Sequence, residues 1–102
     1  MTFIEVAGAK VDTRHYIGGQ RVASAETFTN TSPVDGSFPG EIARGGQTEV
    51  DLAVAAANKA FKGWVALGPL GRGELLMKLA DLVEANIETL AQLETMDNGS
   101  LL

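Results

Sequence analysis

The side chains that could do chemistry are few. Asp97 stands in Asp97-Asn98-Gly99, where the glycine is expected to end a helix. Its carboxylate would then meet the negative end of the helix dipole and need a compensating partner. His15 is the only histidine, and with no second ligand or nucleophile near it in sequence it supports neither a metal site nor a triad, so an ordinary surface or edge-strand position is expected. Glu84, Glu88 and Glu94 fall at polar helix positions, where solvent is a carboxylate's natural partner, and they read as a solvated face. Phe61 and Trp64 could stack on a ligand, yet they recur at helical spacing on an Ala-rich stripe and are expected to be core. Gly68, Gly71 and Gly73 are not spaced G-x-G-x-x-G and follow no apolar strand, so they suit a loop and cap rather than a phosphate cradle. The chain contains no cysteine, which removes the thiolate nucleophile, the disulfide and the thiolate metal ligand together.

The elements that must position these groups are bounded by length and composition. With 102 residues, 45% hydrophobic and 21% charged, the chain suits one small globular domain. A formal charge of -5 without any cluster of Lys or Arg repels phosphate backbones, so no nucleic-acid partner is expected. The stretch from Met1 to Lys10 lacks a basic leader and carries Glu5, unlike a signal peptide, and no run reaches the roughly 18 apolar residues of a membrane span. A soluble cytoplasmic protein with no membrane partner is the expectation.

Composition switches near Thr48 from Thr, Gly and Ser with β-type runs to Ala, Leu and Glu. Gly18-Gly19 between Tyr16 and Val22 predicts a tight hairpin. Thr27 to Thr31 reads as a strand, Pro33-Val34-Asp35-Gly36 as a turn, and Glu41 to Arg44 as the returning strand. Thr48 with Asp51 resembles a capping box and predicts a helix whose stripe is Val50, Val54, Ala57, Phe61 and Trp64. A second helix is expected from near Pro69 or Arg72 to Ala85, with Leu75, Leu76, Leu79, Leu82 and Val83 on one face. Asn86 is expected to cap a third, closed by Gly99. The chain by itself therefore reads as α+β, a small antiparallel β element followed by three helices.

Taken in order, Tyr16-Ile-Gly-Gly-Gln, Asn30-Thr-Ser-Pro-Val-Asp-Gly, Val54-Ala-Ala-Ala-Asn-Lys-Ala-Phe, Leu79-Ala-Asp-Leu-Val-Glu and Leu93-Glu-Thr-Met-Asp-Asn-Gly resemble the start of the NAD(P)-dependent aldehyde dehydrogenase superfamily. The match runs from about residue 15 to residue 99; residues 1–14 form a poorly matched extension, and 15–102 would be the N-terminal, incomplete part of a cofactor-binding domain. The resemblance implies an α/β parent of several hundred residues with a Rossmann-like cofactor domain, a catalytic domain and an oligomerisation flap. In such enzymes a Cys thiolate attacks the aldehyde, an Asn side chain and backbone amides hold the oxyanion, hydride passes to NAD or NADP, and a Glu activates water. None of those residues falls within this stretch, so no catalytic or cofactor-binding residue is assigned to it and the isolated chain is expected to be inactive. Where the family commonly continues Asp-Asn-Gly-Lys-Pro, this chain has Ser100-Leu101, which leaves subfamily and substrate open.

The resemblance carries over one candidate site. In some members the Asp matching Asp97 joins main-chain oxygens at the positions of Asn30 and Thr31 to hold a sodium or potassium ion, and an all-oxygen cage suits a hard cation. The plainer alternative is that Asp97 only organises the Asp-Asn-Gly turn. Arg72 matches an Arg that fixes the entry of its helix. The implied partners are a small-molecule aldehyde, the rest of the parent chain and further copies in a homo-oligomer. A reading of another class is a free-standing helical interaction module without catalysis. If the chain is part of a larger body, its helices should expose apolar faces.

Overall fold

The computed structural model describes residues 2–6, 8–37 and 40–102. Among these residues three two-stranded antiparallel sheets precede three helices. Strands β1 (Phe3–Val6) and β2 (Ala9–Asp12) pair, as do β3 (His15–Ile17) with β4 (Gln20–Val22), and β5 (Glu26–Asn30) with β6 (Gly40–Arg44). Helices α1 (Gln47–Ala66), α2 (Gly68–Ala85) and α3 (Ile87–Asn98) follow.

The second hairpin turns where the glycine pair predicts. Ile17 lies opposite Gln20, and Gly18 and Gly19 take φ of 59° and 81°, the left-handed pair that matches strand twist in a two-residue connection. In the third hairpin Phe28 faces Ile42, and Glu41 accepts hydrogen bonds from Thr27 and Thr29 across the ladder. The link between these strands closes on Ser32, which is 1% exposed. Its N–H donates to the Ser37 carbonyl, its own carbonyl accepts from Gly36 N–H, both at 2.9 Å, and its hydroxyl accepts from Val34 N–H. Burial there is affordable because each polar group has a partner.

The first hairpin has no counterpart among the elements expected from sequence, since residues 1–14 carry no turn dipeptide and match nothing in the resemblance. It is joined to the third sheet through Thr13, whose carbonyl accepts from Ala43 N–H at 3.0 Å while its N–H donates to Thr2. Beside it Arg14 forks onto the Asp12 carboxylate at 2.7 and 3.1 Å, with the Arg21 guanidinium 3.9 Å away.

The helix boundaries follow the expected stops, but two caps differ. α1 starts one residue earlier than Thr48: Gly46 is the N-cap and the Glu49 carboxylate accepts from its N–H at 2.8 Å, so the reciprocal half of a capping box is made by Glu49 rather than by Thr48 with Asp51. Asn86 does not cap α3 with its side chain. Its side-chain amide donates to the Leu82 carbonyl at 2.8 Å, the same carbonyl that accepts from the Asn86 backbone N–H, and so folds back on the end of α2. Arg72 reaches back to the Val65 carbonyl and ties the start of α2 to the end of α1.

Val6 is the one buried apolar side chain among the described residues, and no residue of the three helices is buried. Phe61 and Trp64, expected to be core, are 64% and 40% exposed, because no element among the described residues covers them. The radius of gyration is 16.4 Å, where a compact domain of this length has about 13 Å. The chain exposes 7614 Å², where a folded monomer of its mass exposes roughly 5500 Å².

Candidate functional site

Two parts of the chain 67 residues apart meet at one point. The Asn30 amide, at the end of β5, donates to the Asp97 carboxylate, in the last turn of α3, at 3.1 Å. Here Asp97 finds the partner its place at the negative end of the helix dipole calls for. The Asp-Asn-Gly turn itself is organised without Asp97. Gly99 N–H donates to the Thr95 carbonyl at 2.8 Å with Gly99 in the left-handed conformation, φ 80°. The Asn98 side chain donates to Glu94 and accepts from Ser100 N–H. The plainer alternative for Asp97, that it only shapes this turn, is therefore not what its contacts show: the carboxylate reaches across to another element.

Around this contact the backbone is close. A Cβ placed on Gly99 would lie 3.2 Å from Pro33, so the end of α3 is seated against the Ser32–Pro33 corner that follows Thr31. Thr31 is exposed beside Asn30. A cleft of about 400 Å³ opens next to the pair, walled by Ile4, Val6 and Ile42 from the hairpins and by Leu90, Leu93 and Met96 from α3. The structure thus brings Asn30 and Asp97 together through their side chains, with one carboxylate oxygen engaged by an amide donor. Among the described residues no group of three or more His, Cys, Asp or Glu side chains could hold a metal ion. A cage of main-chain oxygens is a separate matter and would draw on Asn30 and Thr31.

The remaining candidates stand apart from this point. His15 lies on β3, as expected of an edge-strand residue, and its Nε2 shares a hydrogen bond with Ser24 Oγ. Its ring faces Gly45 and the positive charge it can carry helps, as the least of several causes, to hold the Glu49 carboxyl below its ordinary value; the leading cause is the Gly46 N–H. Glu88 and Glu94 are exposed and accept hydrogen bonds from Gln92 and Asn98 one turn on, and Glu84 is exposed, which is a solvated face. Gly68, with φ 71°, stands at the start of α2, while Gly71 and Gly73 lie inside its first turns rather than in the loop expected from sequence, because the helix begins ahead of them. What sequence reasoning missed is Asp12: the Arg14 fork, and after it the Arg14 N–H and charge and the Arg21 charge, hold its carboxyl down at about 2 against some desolvation. The Asp-x-Arg spacing was the available signal, and strand periodicity alone hides it.

Over most of its length the chain is similar to known proteins. The model of the aldehyde dehydrogenase family matches residues 21–102. An aldehyde dehydrogenase of Vibrio cholerae is 42% identical over 87 residues, and a long-chain-aldehyde dehydrogenase of an Acinetobacter species is 47% identical over 87 residues; each alignment takes in 83% of this chain and 17% of the relative. The chain therefore spans under a fifth of these relatives' length. Among solved structures, PnpE from Pseudomonas sp. WBC-3 superposes with a TM-score of 0.80 at 46% identity, over 84% of this chain and 18% of that one. A PnpE structure in complex with nicotinamide adenine dinucleotide superposes with a TM-score of 0.78 at 48% identity, over 82% and 18%.

Proposed function

The chain belongs to the aldehyde dehydrogenase family, and from that premise we propose that it is the N-terminal portion of an oxidoreductase that converts an aldehyde to its carboxylic acid with NAD or NADP. The observation that carries this reading is the combination of 46–48% identity and TM-scores of 0.78–0.80 with coverage of only 18% of the solved relatives. The chain reproduces part of that fold closely, and its sequence contains no cysteine to serve as the thiolate nucleophile. The nicotinamide cofactor would supply the oxidant in the whole enzyme, and no residue here is assigned to it.

In this reading the chain's own work is positional. The Arg72–Val65 and Asn30–Asp97 hydrogen bonds link α2 to α1 and α3 to β5, in a scaffold against which the cofactor-binding sheet of an α/β, Rossmann-like parent would pack. The parent would be cytoplasmic and homo-oligomeric, in keeping with the resemblance; no helix among the described residues is long and apolar enough to cross a membrane. We extend the proposal to a sodium or potassium ion held by the Asp97 carboxylate with the main-chain oxygens of Asn30 and Thr31. Supporting it is the 3.1 Å contact that brings Asp97 to the end of β5; against it counts the amide donor already on the carboxylate, which does part of a cation's work. Measuring the melting temperature in sodium, potassium and a bulky organic cation at equal ionic strength decides between them. Stabilisation by one small ion that Asp97→Asn abolishes supports the site, and identical curves remove it.

The functional reading is tested by incubating the purified chain with NAD, NADP and a range of aldehydes. No reduced nicotinamide should form above the buffer rate. Turnover that follows the polypeptide through purification would contradict the scaffold role.

A further inference from the structure

We propose that the β1–β2 hairpin is a strap, added ahead of the residues that match the aldehyde dehydrogenase family, that clamps α3 onto the β5–β6 sheet, and that its opening releases α3 together with the Asn30–Asp97 contact. The strap ends at Asp12, before residue 21 where the family match begins, so the inference stands independently of the reading as an oxidoreductase.

The strap lies along β6. At one end the Thr13 carbonyl accepts from Ala43 N–H at 3.0 Å and the Thr13 N–H donates to the Thr2 carbonyl at 2.9 Å, while Asp12 pairs with Arg14 and lies 3.9 Å from Arg21 on β4. Further along β6, Gly40 receives Ile4 so closely that a Cβ there would collide with Ile4 Cγ2. Gly40, at φ 144°, is the register partner of Asn30, and the Asn30 amide carries the contact on to Asp97. Ile4, Gly40, Asn30 and Asp97 thus form one line of contact from strap to helix.

Burial singles out the same place. Of the large apolar side chains on the three helices, Leu93 and Met96 alone are half-buried, and the rest are 40% exposed or more. Both stand on α3, the helix that β1 contacts, and both wall the cleft whose opposite side is Ile4, Val6 and Val11. Val6, on β1, is the buried apolar residue among those described. What core these residues have is therefore built where the strap meets α3 and β6, and removal of apolar surface from water there supplies the clamping free energy. The cleft of about 400 Å³ left between strap and helix withholds the close packing of a finished interior. The strap accordingly opens more easily than a filled core would, and releases α3 as one unit.

The test is amide exchange across the three helices of this chain. Without a clamp the 18-residue α2 should outlast the 12-residue α3, since the stability of a helix in water grows with its length. The strap predicts the reverse: amides in the second half of α3 should exchange at least about tenfold more slowly than those in the middle of α2. Gly40→Ala, which pushes Ile4 away, should erase that difference while leaving exchange in α2 unchanged, and adding Ile4→Ala to it should restore most of the protection. The left-handed strain at residue 40 is common to both variants, so the recovery reads the Ile4 contact alone. Asp97→Ala should speed exchange in α3 of the unaltered chain and have no further effect beside Gly40→Ala. An α3 that exchanges as fast as α2 in the unaltered chain overturns the proposal. So does a Gly40→Ala chain in which all three helices lose protection equally, or one that Ile4→Ala fails to rescue. Should Gly40→Ala not fold, the comparison of α3 with α2 in the unaltered chain decides by itself.

Discussion

The Asn30 amide and the Asp97 carboxylate, 3.1 Å apart, close the longest loop of chain tied by a side-chain hydrogen bond among the described residues, joining β5 to the last turn of α3. The contact is exposed, so it replaces water on both sides and its net worth is modest. It is nonetheless the link between the strand half of the chain and the end of the helical half, and it sits where the helix dipole favours a donor.

Replacing either partner by Ala should lower stability by about 1 kcal/mol, and the double variant should cost less than the two singles together, leaving a coupling of about 0.5–1.5 kcal/mol. Urea unfolding of the four proteins measures it. Additive losses would mean the contact contributes nothing of its own.

Gly99→Ala tests the seating of α3. The residue takes φ 80° and a Cβ there would press on Pro33 at 3.2 Å, so the substitution combines left-handed strain with displacement of the Ser32–Pro33 corner. The expected loss is about 1–2 kcal/mol, with faster amide exchange in the last turn of α3. A neutral Gly99→Ala would show that this end of the helix is frayed.

The N-terminus of α1 separates two expectations. If Glu49 provides the cap, Glu49→Ala lowers the melting temperature and Thr48→Ala leaves it nearly unchanged; the reverse order would restore the Thr48 box that the sequence suggests. Thermal unfolding of the two variants decides it.

Acid sensitivity should trace to Asp12. Its folded carboxyl is held at about 2, below the ordinary 3.8, so the unfolded chain takes up a proton first as pH falls. The stabilisation is present in full above about pH 4 to 5, declines as pH drops below that, and is lost through about 2. Asp35, held down first by the Ser37 N–H, and Glu49, first by the Gly46 N–H, act in the same direction. Urea midpoints measured from pH 6 to 2 should fall, and Asp12→Asn should flatten that fall. An unchanged slope in Asp12→Asn would place the acid sensitivity elsewhere.

Much of this architecture can be read from residue order, and the exceptions have physical causes. Gly18-Gly19, Pro33 to Gly36, Gly68-Pro69 and Gly99 punctuate the chain because each dictates a local backbone state, and the elements end where they say. Periodicity sets Phe61 and Trp64 on an apolar stripe of α1, yet assigning them to a core presumes covering material that the described residues do not supply. The β1–β2 hairpin has short strands and no turn dipeptide, and is fixed by tertiary bonds through Thr13 that no local pattern announces. Caps were misjudged where a neighbouring side chain competes for the same backbone group, Glu49 ahead of Thr48 and Asn86 turned back toward Leu82. At the site, the need of Asp97 for a partner follows from its place on the helix; that Asn30 supplies it through its amide required the fold.

The most direct measurement of the central claim is a replacement in cis, in which this chain takes the place of the matching segment in PnpE and aldehyde-dependent reduction of NAD is followed. The scaffold account predicts a folded chimera that oxidises the parent's aldehyde at a rate within about tenfold of the parent, since no residue touching the reacting atoms has changed and only small misplacements carry over. A chimera that folds to the parent's helix content and oligomeric state but shows no activity would contradict it.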